Sequence, residues 1–191
     1  MDAQTLIRCW EHGRRRHTLD RALLMYAEAV PDAPAATLAD RPIGERNAAL
    51  LRLRRALFGD DLKSCVDCPE CSERLEFSLS ARALLAATTH PGERPEHSAL
   101  SIRGLRLRLP TTRDLAAIAD ETDTASAECR LLMRVCEEGD ARAITDELRA
   151  DLARMLDAAD PCMDLGIDLN CPACGHAWNA SFDVPAFLWD E

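Results

Sequence analysis

Residues 68–80 read CPECSERLEFSLS and residues 171–183 read CPACGHAWNASFD. A shift of 103 positions lays one on the other and matches more than cysteines: Cys68 with Cys171, Pro69 with Pro172, Cys71 with Cys174, Leu75 with Trp178, and Ser78 with Ser181. The match runs on through Leu79 with Phe182 and through Leu84-Leu85 with Phe187-Leu188, while Ser80 and Asp183 both suit the start of a helix. Leu75, Phe77 and Leu79 alternate with Glu76 and Ser78, a period of two that indicates a strand leaving each Cys-Pro-x-Cys turn. The sequence therefore predicts an internal repeat of strand, turn, strand and short helix, interrupted by a long insertion.

Two thiols two residues apart cannot close a structural metal site, but two such turns supply four sulfurs. A Cys₄ set is typical of tetrahedral structural zinc, so Cys68, Cys71, Cys171 and Cys174 are the expected ligands of one Zn²⁺. Tight turns also expose backbone N–H groups that donate to thiolates beside a cation. Gly175 suits the unusual backbone angles of such a knuckle, and Ser72 takes the matching place in the first copy. A redox CxxC sits at a helix N-terminus, where the dipole lowers the thiol pKa; both motifs here lead into strands, which argues against disulfide exchange. Iron of the rubredoxin kind would use similar knuckles, so the spacing leaves zinc against iron open. Cys65 and His176 flank the motifs but fall outside the matched positions, and are expected as a strand cysteine and a surface histidine.

Around these hairpins the chain reads as mostly helical. A first helix through Trp10 ends at Gly13 with Asp2 as its cap, and Thr18 caps a second bearing Leu19, Leu23, Tyr26, Ala27 and Val30 at helical spacing. A Pro-rich connector precedes ERNAALLRLRRALF, whose Leu50, Leu53, Leu57 and Phe58 form an expected core stripe stopped by Gly59. After the first repeat and a loop, ALSIRGLRLRL predicts a hairpin turning at Arg103-Gly104, and Thr111 with Asp114 has capping-box spacing. Helices are expected at about 125–138 and 146–158, the second capped by Thr145. Cys129, Leu132, Met133 and Cys136 share one face of the first, which reads as core.

At 191 residues the chain can bury a real core; it is 47% hydrophobic and 29% charged. No apolar run is long enough to span a bilayer and no signal-peptide pattern opens the chain, so the expected compartment is the cytoplasm. There, nine cysteines read as metal ligands or small hydrophobes rather than disulfides. The net charge of −10 is uneven: residues 1–58 balance at +3 and the rest at −13. Arg14-Arg15-Arg16 and Arg52, Arg54, Arg55 make the first segment basic, most simply as solvated helix faces. No phosphate loop, nucleophile elbow or acid pair with a plausible base occurs, so the sequence predicts no catalytic residues and no organic cofactor.

The order LDRALLMYAEAV (19–30), PIGERNAALLRLRRALFG (42–59), DCPECSERLEFSLS (67–80), LRLPTTRDLAAI (107–118) and LNCPACGHAWNASFDVPAFLWDE (169–191) is similar to a family of zinc-knuckle proteins associated with contractile phage tails and contractile injection systems. That family resembles the baseplate hub assembly chaperones of contractile-tailed phages. The resemblance implies a non-enzymatic structural or assembly protein with baseplate or tail components as partners, and it carries over only the four knuckle cysteines. The alternative class is a zinc-ribbon nucleic-acid-binding or regulatory protein using the N-terminal arginines. Acidic residues Asp164, Asp168, Asp183 and Asp190 around the second knuckle argue against it. A rubredoxin-like electron carrier stands third. The expected fold is α+β, mainly helical, with two Cys-Pro-x-Cys zinc-knuckle hairpins forming a split zinc-ribbon-like Cys₄ site. Four parts make one composite domain: an N-terminal helical segment (1–59), the first knuckle hairpin and helix (60–87), an inserted hairpin and helices (88–162), and the second knuckle hairpin and helix (163–191).

Overall fold

A computed structural model describes residues 3–88, 100–140 and 144–191. The architecture is mixed α+β with small antiparallel sheets. Helices α1 (Ala3–Gly13) and α2 (Thr18–Ala29), a 3-10 turn (Ala35–Asp40) and α3 (Ile43–Phe58) precede the first repeat. That repeat is β1 (Asp61–Asp67), β2 (Arg74–Ser80) and α4 (Ala81–Thr88). The insertion holds β3 (Leu100–Ile102), β4 (Leu105–Leu107), α5 (Thr112–Ile118), α6 (Thr124–Val135), β5 (Cys136–Glu138) and α7 (Asp146–Ala159). The second repeat is β6 (Gly166–Asn170), β7 (Ala177–Ser181) and α8 (Val184–Asp190).

The repeat seen in the letters is a repeat in space. Asp67 pairs with Arg74 and Lys63 with Ser78 in one hairpin; the matching Asn170 pairs with Ala177 and Gly166 with Ser181 in the other. Ser78 donates to Asp61, and Ser181 donates to Asp164 at the matched positions. Ser80 Oγ accepts the Ala83 N–H at 3.1 Å, as Asp183 Oδ1 accepts the Ala186 N–H at 3.0 Å, so each short helix is N-capped by the residue its strand ends near. The hairpins form two separate two-stranded sheets.

Both copies anchor in one core. Leu62, Ala81 and Leu85 from the first, and Leu165, Val184 and Leu188 from the second, join Tyr26, Leu50 and Leu51 of α2 and α3. Helix α3 packs against both α4 and α8. Burying each such leucine contributes about 1.5–3 kcal/mol, so the shared core favours holding the two copies side by side. A second core, in the insertion, gathers Leu105, Leu107, Leu132, Val135, Leu148 and Leu152 over the three-stranded sheet β3-β4-β5. The two are stitched at the N-terminus of α3: Ile43 N–H donates to Pro110 O, Gly44 N–H donates to the buried Asp160 carboxylate at 2.9 Å, and Asn47 donates to the Cys162 carbonyl. Gly44 is required there, since a Cβ would lie 1.7 Å from Asp160 Oδ1.

Several expectations are corrected. His17 rather than Thr18 caps α2, because its Nδ1 accepts the Leu19 N–H and Thr18 is already helical. The Pro-rich connector contains a 3-10 turn. The inward face of α3 carries Arg46, Asn47 and Arg54 with Leu50 and Leu51, while Phe58 is 47% exposed. Helix α6 ends at Val135 rather than near 138; residues 136–138 leave it as β5 and pair with β4, giving that strand's free edge a partner. In consequence Leu132 and Val135 form its core side, and Cys129 and Met133 are exposed. The hairpin at Arg103-Gly104 turns as expected, with both residues at positive φ. Asp2 and most of the loop after α4, residues 89–99, lie outside the described residues.

Candidate metal centre

Each turn is a knuckle built the same way. Cys68 N–H donates to Glu73 O and Cys171 N–H to His176 O, both at 2.8 Å, closing the strand ends over the turn. Ser72 N–H returns to Cys68 O and Gly175 N–H to Cys171 O, both at 2.9 Å. That last bond needs a left-handed residue. Gly175 supplies it at φ 75° without steric cost, and Ser72 adopts it at φ 60°. The first cysteine of each knuckle is buried, 2% exposed in both copies, and the second is exposed.

The two knuckles face each other. Cys68 Sγ lies 3.7 Å from Cys174 Sγ, and Cys71 Sγ lies 3.6 Å from Cys171 Sγ. These two pairs exchange when one repeat is mapped onto the other, so the site has an approximate two-fold axis. All four sulfurs lie within 4.8 Å of one another, the one grouping of three or more candidate ligands among the described residues. Four sulfurs placed tetrahedrally about 2.3 Å from a single ion stand about 3.8 Å apart, so the spacing fits one metal held by all four.

The electrostatics of the bare thiols point the same way. The Glu73 N–H draws the Cys71 pKa down, but the Cys174 thiol, burial, and the Cys171 and Cys68 thiols together push it up to about 12. Cys171 is lowered to about 7, chiefly by the Cys174 N–H, against burial and with help from the Ala173 N–H. Cys174 receives the His176 N–H, which lowers it, yet ends raised by burial and by Cys171 and Cys68. The Glu73 and His176 N–H groups therefore play the same part in the two copies. Four thiols this close resist becoming four thiolates, and a bound cation removes that conflict.

The chain order alone concealed the second ring of contacts, although the same 103-position shift that pairs the cysteines also pairs Asp61 with Asp164 and Glu73 with His176. Neither flanking candidate enters the cluster. Cys65 is exposed and takes a bond from Arg74 at 2.8 Å, while the His176 ring stacks on Trp178 with centroids 5.8 Å apart. Cys162 is buried beside Asn47, and burial pushes its thiol up to about 11. His12 Nδ1–H donates to the Arg8 carbonyl and His17 caps α2, whereas His90 and His97 lie outside the described residues. No helix among the described residues is long and apolar enough to cross a membrane. No protein-family model, no curated protein and no solved structure matches the chain.

Proposed function

We propose that Cys68, Cys71, Cys171 and Cys174 hold one structural zinc ion in a split zinc-ribbon-like site. On this reading the braced chain serves as a non-enzymatic structural or assembly protein, chaperone-like, of a contractile phage tail-like baseplate or injection system. The observation that supports the scaffold role most directly is the convergence of sulfurs from both repeats at 3.6 and 3.7 Å. A Cys₄ zinc has its four positions filled by protein and none open for substrate or water, so it holds structure together. Zinc also has no redox chemistry of its own, and its thiolate ligands favour it over the oxygen-seeking cations. The ion would tie the middle of the chain to residues one hundred positions later.

The tail-system assignment is supported by the ordered likeness of five segments spread over residues 19–191. Co-expression with the baseplate and tail components of a contractile system tests this assignment. The proposal expects stoichiometric co-purification with at least one of them. A salt-sensitive complex with DNA or RNA instead, and no tail component retained, would transfer the assignment to the nucleic-acid-binding class.

A further inference from the structure

The outward face of α1 combines exposed apolar bulk with arginines that no carboxylate among the described residues pairs. Cys9 packs toward the first core and Gly13 lies under Trp189, where a Cβ would come within 2.3 Å of the indole. That orientation turns Ile7 and Trp10, one helical turn apart, into solvent at 58% and 52% exposure. The Arg14 guanidinium lies 5.5 Å from the Trp10 ring centroid. The Arg14–Arg16 turn is fixed by Arg21, which donates to the Gly13 and Arg14 carbonyls at 3.1 and 3.0 Å.

Charge pairing in the insertion contrasts with this patch. Every described arginine in residues 100–159 stands on a carboxylate. Among the described residues no carboxylate pairs with Arg8, Arg14, Arg15 or Arg16, although the chain carries 33 acidic residues against 23 basic ones. An apolar centre containing Trp and rimmed by Arg is the composition of a protein-binding hot spot.

We propose that Ile7 and Trp10, with Arg8, Arg14, Arg15 and Arg16 around them, form the docking surface for an acidic amphipathic segment of another protein. The apolar side of that segment would cover Trp10 and Ile7, and its carboxylates would meet the arginines. A second copy of this chain is a poor occupant, because its other large exposed apolar residues are also beside arginines. Phe58 stands one helical turn after the exposed Arg55, and Met133 adjoins Arg134. A lipid surface is a poor one too: α1 has 11 residues and only two large outward apolar side chains. A long polyphosphate has no apolar side with which to cover Ile7 and Trp10. The proposal deepens the assembly role by naming the chemistry of a partner, and is independent of the metal centre.

The test uses the full chain with its metal content verified, titrated against a fluorescein-labelled helical peptide of Leu and Glu in an amphipathic repeat. Its Leu–Lys counterpart, a single-stranded oligonucleotide and phosphatidylserine vesicles complete the panel. Binding of the Leu–Glu peptide is expected at micromolar concentration, weakening with added salt. It should fall about tenfold or more in Trp10→Ala, in Ile7→Ser, and in a chain with Arg14, Arg15 and Arg16 all changed to Ala. Unchanged circular dichroism and metal content confirm that those surface variants fold. The proposal is overturned if the Leu–Glu peptide does not bind or binds the variants equally. It is also overturned if the Leu–Lys peptide, oligonucleotide or vesicles bind as well with the same variant dependence, or if Trp10→Ala abolishes self-association in sedimentation. Those outcomes leave co-purification with tail components as a separate question, so the two readings fail separately.

Discussion

Asp114 is fully buried and accepts bonds from Arg108 at 2.6 and 2.9 Å, from Arg134 at 3.0 Å, and from the Thr111 backbone and hydroxyl. Burial alone would raise its carboxyl pKa, but the Arg108 and Thr111 bonds outweigh it and hold the group well below the usual carboxylate range. A depressed folded pKa means that this carboxylate stabilises the fold above about pH 4 and that the contribution is lost on further acidification. Asp114→Asn is expected to destabilise by about 2 kcal/mol at neutral pH, through the lost charge-assisted bonds and weakened capping box. Urea melts should also show a smaller loss of stability in acid for the variant than for the parent. The Thr111–Asp114 box was legible from its spacing, whereas its arginine partners were not, because they arrive from beyond β4 and from α6 by tertiary packing. A second single-residue change reaches the metal centre: Cys171→Ser removes a thiolate from the cluster. Structural zinc contributes on the order of 10 kcal/mol of apparent folding energy, so the melting temperature should drop sharply and bound metal should be lost. An unchanged melting temperature with metal still bound stoichiometrically would refute the role given to Cys171.

At the scale of the element, the two knuckles differ chiefly in the residue that turns left-handed. Gly175 has open space around a would-be Cβ, so Gly175→Ala costs only the backbone conformation, about 1 kcal/mol. Ser72→Gly should conversely stabilise by up to about 1 kcal/mol, which paired thermal melts of the two variants would show with opposite signs. The two antiparallel hairpins were readable because a period of two follows each CPxC and because the copies match one another. Helix α6 was extended too far for the opposite reason: Cys129, Leu132, Met133 and Cys136 keep helical spacing in the letters, and only the strand partner β4, distant in sequence, shows where the helix stops. Helix α3 misled in a related way, since its inward side uses Arg46, Asn47 and Arg54, polar groups satisfied by Thr112, the Cys162 carbonyl and Glu191. Hydrophobic periodicity is blind to a buried polar stripe whose partners come from elsewhere in the chain.

The whole molecule is two cores joined at α3 and α5, with the four-cysteine cluster on the hairpins that anchor in the first. Chelation should therefore act unevenly. Hydrogen exchange is expected to rise across β1, β2, β6 and β7 when metal is withdrawn, and to change little in the sheet β3-β4-β5, whose strands rest on the second core. Uniform acceleration across both sheets would show instead that the cores open as one unit. The repeat of two hairpins was visible in the sequence; the sharing of one hydrophobic core by both repeats was not, since it depends on α3 packing against α4 and α8 together. The most direct measurement is the metal content of the purified chain beside that of two variants, Cys68→Ser with Cys71→Ser, and Cys171→Ser with Cys174→Ser. One zinc per parent chain, and loss of the tightly bound ion in both variants, is the predicted result. Two ions per chain, or one variant retaining a tightly held ion on its remaining pair, would contradict a shared centre.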